Sequence, residues 1–182
     1  MLELNFHPFP ALETQRLLLR ELNLDDADNL FLMRSSPSTM KYIPRPLAQT
    51  REDAVKLIRA MKLGVSGNDS INWAITLKDK PGLIGVAGFV RISREAERGE
   101  LGYLLHEDFH GQGIMHETLQ PIIRYGWDVI GFHTQEGVID PANTASEKLL
   151  LKNGFVKEAH FRENLFYEGR WLDSVHYTLF RE

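Results

Sequence analysis

The sequence predicts a single α/β (α+β) domain, one mixed sheet with helices on both faces. Three observations predict it. Residues 71–105 carry three strand-like runs in succession. Apolar residues recur at helical spacing on either side of that stretch. After it, helix and strand alternate before two closing strands, giving the order β-α-α-β-β-β-α-β-α-β-β. The 182 residues contain no internal repeat, low-complexity tract or Gly/Ser linker, so residues 1–182 read as one domain with chain enough for a real core.

The elements follow in order. Arg16–Leu22 is apolar and extended, a first strand. A helix over roughly 25–35 is capped by Asn23 or Asp25 and presents Leu30, Phe31 and Met33. Three prolines make residues 36–49 a loop. Thr50-Arg51-Glu52-Asp53 fits a capping box, and Ala54, Leu57, Ile58 and Met61 continue it as a helix over about 51–63. Ile71–Leu77 and Leu83–Ile92 are strands joined by the turn Lys78-Asp79-Lys80-Pro81-Gly82, and Glu100–Leu105 is the third strand of the meander. Met115, Leu119, Ile122, Ile123, Trp127 and Ile130 mark a helix ending near Gly131, with a kink expected at Pro121. His133–Ile139 is a strand. Asp140–Asn143 is a turn, and a short helix over 144–152 stops at Asn153-Gly154. Phe155–Phe166, broken around Arg162-Glu163-Asn164, and Trp171–Phe180 are the closing strands.

Composition excludes several function classes. The chain has no cysteine, which rules out disulfides, thiolate-bound metals and a thiol nucleophile. No apolar run spans a bilayer, and the N-terminus lacks the basic start and apolar centre of a signal peptide. A cytoplasmic protein with no membrane partner is expected. The net charge of −4 argues against a nucleic-acid partner and suits a cationic substrate.

Residues 106–115, HEDFHGQGIM, admit two chemistries. His106-Glu107-Asp108-Phe109-His110 matches the H-E-x-x-H signature of zinc hydrolases, which needs both histidines on one face of a helix. The flanking Gly102 and Gly111-Gln112-Gly113 oppose such a helix, and no third ligand is signalled, so no metal is expected. The other chemistry is phosphate binding. Gly111 and Gly113 allow close backbone approach, and the following helix presents free N–H groups and its positive dipole end. Gly-x-Gly also turns a chain with no ligand at all, and these six residues alone leave both readings open.

"ELGYLLHEDFHGQGIMHETL" followed by "VIDPANTASEKLLLKNGF" resembles the GNAT N-acetyltransferase superfamily. "TQRLLLRELNLDDADNLF", "LIGVAGF" and "YEGRWLDSVHYTLF" resemble its RimJ/RimL-like branch, which acetylates the N-termini of ribosomal proteins. The resemblance implies a GNAT fold, with a mostly antiparallel sheet of about seven strands splayed between Glu100–Leu105 and His133–Ile139. It implies acetyl-CoA as cosubstrate, pantetheine on the backbone of Leu104, Leu105 and His106, and pyrophosphate on Gln112, Gly113, Ile114, Met115 and His116. Departures are His110 and Met115 at the two ends of the glycine turn, and Pro121. His110 would add charge there if protonated.

Transfer from a thioester to an amine needs a neutral amine and a protonated leaving thiolate. Without cysteine, direct attack in a ternary complex is expected. Glu100 is the candidate base; its other reading is a solvent-facing strand carboxylate. The resemblance places Asn143 against pantetheine and Ser146 near the sulfur as proton donor, while both also suit a helix N-terminus. Tyr103 and Tyr177 are alternative hydroxyls or core residues. Trp73, Trp127 and Trp171 read as core or groove wall. An α-amine, with a pKa of about 7.7–8.0, costs about 3 kcal/mol less to deprotonate at pH 7 than a lysine near 10.4, so a weak base suffices for it. The acceptor groove is expected among the first two helices, the loop Pro37–Pro46 and the hairpin Phe166–Arg170. A protein N-terminus leads as acceptor, with a small amine or aminoglycoside, or a CoA-binding module without turnover, as alternatives. Monomer and homodimer both stay open.

Overall fold

The strand-like middle of the chain folds as the expected antiparallel meander, β3 (Ile71–Leu77), β4 (Lys80–Ser93) and β5 (Arg98–Leu105), in a computed structural model that describes residues 2–181. Preceding it are β1 (Leu12–Glu13), β2 (Leu17–Arg20), α1 (Ala27–Ser35), α2 (Pro37–Met40) and α3 (Arg51–Ser66). After it come α4 (Ile114–Tyr125), β6 (Thr134–Ile139), α5 (Thr144–Lys152), β7 (Val156–Tyr167) and β8 (Arg170–Phe180). Among the described residues the sheet has eight strands, ordered β1-β2-β3-β4-β5-β6-β8-β7, and β5–β6 is its parallel pair. No helix among them is long and apolar enough to cross a membrane.

Period-2 alternation distributes the meander over two faces. Trp73, Ile75, Ala87 and Leu105 point to the core that holds Leu119, Ile122 and Leu150 of α4 and α5. Ala74, Val86 and Leu104 point to the second core, with Leu30 and Met33 of α1 and Ala54, Val55 and Ile58 of α3. Helices therefore cover both faces, as the sequence predicts.

Five elements differ from their predicted form. The turn expected over Lys78–Gly82 narrows to Lys78-Asp79, because Lys80 already pairs with Leu77 at the start of β4. The first strand is shorter, and a two-residue strand precedes it; two residues carry no periodicity to read. The loop after α1 contains one helical turn, α2, started by Pro37 and capped by Ser36. The central helix passes through Pro121 to Tyr125, then widens into a π-helical turn over Gly126–Ile130 that Gly131 ends. The break at 162–164 is a bulge in β7, where Phe161 pairs with Ser174 and Leu165 with Leu172.

Asn23 caps the turn into α1, and Asp26 is buried there at 3% exposure. Both Nη atoms of Arg20 donate to the Asp26 carboxylate, at 2.8 and 2.7 Å, and the Asn23 N–H donates to it at 2.9 Å. Asp26→Ala removes a buried acceptor that three donors share and leaves the partly exposed Arg20 bonded to the Glu21 carbonyl. We expect a loss of about 2–3 kcal/mol of stability, read by urea unfolding, because hydrogen bonds to a charged group are lost.

Candidate functional site

The parallel pairing of β5 with β6 runs only from Arg98–Leu101 against Thr134–Gly137. Beyond it β5 continues along β4, and β6 continues along β8 through Val138 and Ile139. The strands splay, and two cavities open there, one of about 550 Å³ toward α4 and α5 and one of about 410 Å³ toward α1 and α3. The His106 N–H donates to Ile84 O at 2.9 Å, so its backbone faces β4. By strand alternation the backbone of Leu105 faces the splay, where its carbonyl meets His110 Nε2 at 2.9 Å.

The chain then turns through Glu107–Phe109, one turn of 3₁₀-helix with His106 Nδ1 as its cap. Gly111 and Gly113 both lie in the left-handed region, at φ 72° and 74°. Gly113 is the N-cap of α4 and has no side chain to cap it, so the first N–H groups of the helix stay open to a ligand. The N-terminal segment holds this turn from behind. Arg16 donates from Nη1 to Gln112 O at 3.2 Å and from Nε to Glu117 Oε2 at 2.6 Å, while Thr14 Oγ1 donates to Glu117 Oε1 at 2.5 Å. Burial works to raise the Glu117 carboxyl, but the bonds from Thr14 and Arg16 outweigh it and hold the group below its usual range.

This geometry does not build the zinc-hydrolase helix. The pentapeptide is a single 3₁₀ turn, His110 is engaged with Leu105 O, and Glu107 Oε2 accepts from Ser38 Oγ at 2.5 Å. Among the described residues no three His, Asp or Glu side chains are grouped to hold a metal.

The larger cavity gathers most of the residues expected to hold the cofactor: Leu104, Leu105, His110, Gly111, Gly113, Ile114, Met115, His116, Asn143 and Ser146. His106 and Gln112 do not line it; the Gln112 side chain donates to Asp108 O at 2.7 Å instead. His116 brings a buried Nδ1 without a hydrogen-bond partner among the described residues. Lys148 and Lys152, unnoticed in the sequence, also line this cavity, and their i, i+4 spacing on α5 was the available signal. Asn143 Oδ1 caps α5 by accepting from the Ser146 N–H at 3.1 Å, so the capping reading of Asn143 holds.

The smaller cavity takes walls from α1, α3 and the loop at 42–45, elements that the sequence assigns to the acceptor groove. Hairpin residues 166–171 do not line it. Trp171 is 60% exposed and packs on Phe166 at 5.0 Å, unlike Trp73, which is fully buried. Glu100 lines this cavity and pairs with Arg91 at 2.9 Å. The two cavities meet at Tyr42, Ile43, Tyr103, Leu104, Asn143 and Ser146. Tyr103 stands beside Ser146, and among the described residues its buried hydroxyl makes no hydrogen bond of standard geometry. Burial pushes that phenol up to about 12, with Ser146 acting the other way, so it is protonated throughout the neutral range. Tyr177 is buried, donates to Glu147 at 2.6 Å and lines neither cavity.

Residues 16–156 match the acetyltransferase (GNAT) domain family. The chain is 30% identical over 171 residues to the uncharacterized N-acetyltransferase YoaA of Bacillus subtilis, covering 94% of this chain and 97% of that protein. It is 34% identical over 98 residues to the ribosomal protein uS5-alanine N-acetyltransferase of Escherichia coli, covering 53% and 50% of the two chains. Its fold superposes on RimL, a ribosomal L7/L12 alpha-N-protein acetyltransferase in complex with coenzyme A, with a TM-score of 0.84 at 19% identity over 94% and 98% of the chains.

Proposed function

The chain belongs to the GNAT acetyltransferase family, and from that premise we propose that it acetylates the α-amino group of a protein N-terminus by direct attack in a ternary complex. It is an N-acetyltransferase that uses acetyl-CoA, which supplies the acyl group as a thioester. One observation carries the reading. Two cavities meet at Tyr103, Asn143 and Ser146, and Glu100 lies on the wall of the acceptor side alone.

The larger cavity fits the cosubstrate through its own groups. Uncapped N–H groups at the start of α4 suit a pyrophosphate, Lys148 and Lys152 add cations, and at the edge of β5 the Leu105 N–H faces the splay and suits an amide carbonyl. Leu104, Leu105, His106, His110, Gly111, Gln112, Gly113, Ile114, Met115, His116, Asn143 and Ser146 remain the assigned cofactor contacts, with His106 and Gln112 acting through the shape of the turn. Glu100 accepts the proton of the incoming amine. Ser146 gives a proton to the leaving sulfur and takes one back from solvent, to which Glu100 releases its own, and Tyr103, a neutral phenol beside Ser146, orients that hydroxyl. The ribosomal-protein acetyltransferases among the relatives support a protein amine as acceptor.

The test offers peptides with a free α-amine beside Nα-blocked peptides containing lysine, with acetyl-CoA. Mass spectrometry should place the acetyl group on the α-amine. Acetylation of lysine alone, or of aminoglycosides and other small amines alone, would overturn the reading.

A further inference from the structure

The acceptor cavity carries a charge opposite to that of the whole chain. The formal net charge is −4, yet the end of α1 and the loop after α2 bring Arg34 and Arg45 to the cavity wall. Arg20, Arg51 and Arg91 each meet a carboxylate, on Asp26, Asp28 and Glu100. Arg34 and Arg45 have no such partner among the described residues. Among the described residues the half-buried Arg34 guanidinium donates to uncharged acceptors, Met40 Sδ at 3.3 Å and Pro46 O at 3.4 Å. Arg45 stands between Pro44 and Pro46, which restrict the backbone on both sides of it.

Burial first, and then the nearby Arg45, press the Arg34 pKa down from its usual value. Two like charges placed together, one of them half-buried, cost stability, and an anion between them offsets that cost. Their field also reaches the hairpin tip. There Tyr167 is raised by loss of hydration and by Glu168, while Arg34 and Arg45 act in the opposite direction. Neither arginine lines the larger cavity, so the phosphates of the cosubstrate do not account for them.

We propose that Arg34 and Arg45 form an anion subsite of the acceptor cavity, selecting an acceptor that carries a carboxylate close to its reactive amine. The inference rests on the reading that this cavity receives the acceptor. For a peptide, the carboxylate is an Asp or Glu side chain within the first few residues. Guanidinium groups suit it because they stay charged and donate in a planar fork.

The experiment uses peptides of one sequence with Asp, Asn or Lys at the second to fourth positions, and in parallel an amino acid and its amide. Binding to the CoA-loaded protein is titrated, and acetylation is measured with acetyl-CoA. The acidic member of each pair should bind about tenfold tighter, as a charge-assisted hydrogen bond predicts, with the gap narrowing as salt is added. Arg45 is exposed, so Arg45→Glu keeps the fold, and it should turn the Asp-over-Lys ratio toward Lys. Equal or better binding of the neutral forms, or of none, overturns the subsite. Acetylated peptides without charge preference would sink the subsite and spare the N-terminal reading. Preference for the amino acid over its amide, with inert peptides, would do the reverse.

Discussion

Gly113→Val is expected to weaken CoA binding about a hundredfold in a protein that still folds. Gly113 sits at φ 74°, and a Cβ there would meet nothing nearer than Arg16 Nη2 at 3.8 Å. Packing therefore tolerates the side chain, and the backbone does not. A left-handed conformation costs an ordinary L-residue about 1–2 kcal/mol, and a β-branched residue more. The turn relieves that strain by moving, which takes the first N–H groups of α4 away from the phosphate position. A loss near 2.7 kcal/mol corresponds to about a hundredfold in affinity. At CoA concentrations of a hundredfold the wild-type Kd, ligand stabilises the wild type by about 2.7 kcal/mol and such a variant by only about 0.4 kcal/mol. Thermal unfolding with and without CoA separates the two, and calorimetric titration gives the constants. Undiminished affinity in a folded variant would remove the glycine turn from the cofactor site.

Glu100→Gln should lower kcat/KM by about a hundredfold near pH 6.5, the lower end of what a general base contributes. The ratio of variant to wild-type rate should then climb as pH passes the α-amine pKa of about 7.7–8.0, because above it the acceptor arrives neutral and needs no base. The ion pair with Arg91 does not confuse the outcome. Arg91 is 71% exposed on its side chain, and a pair of that kind contributes about 0–1 kcal/mol. Arg91→Ala retains the carboxylate and serves as the control. A rate ratio that stays flat from pH 6 to 9 would assign Glu100 to the strand surface.

Local patterns made much of the site legible. Gly111 and Gly113 needed only their neighbours to be recognised, since the left-handed turn and the helix start are set within a few residues. Asn143 was readable as a cap and Ser146 as a first-turn residue for the same reason. The π-helical turn over Gly126–Ile130 and the two-residue β1 escaped notice because neither leaves a periodic trace. The clamp of Thr14 and Arg16 on Glu117 joins residues about a hundred positions apart, a distance over which no spacing rule operates. Tyr103 could be placed on a strand, yet which hydroxyl it faces depends on where α5 docks.

Sequence by itself determined the element order, the two-faced sheet, the glycine turn and the family that these residues resemble. Each is a property of short-range periodicity or of backbone conformation at a few glycines. Tertiary structure alone decided which charges share the smaller cavity. A net charge of −4 suggested a cationic substrate, but composition only sums charges, whereas a ligand meets the few that share its cavity. The carboxylates of Asp26, Asp28 and Glu100 are taken up by other arginines, while Arg34 and Arg45 line the smaller cavity without a carboxylate partner among the described residues.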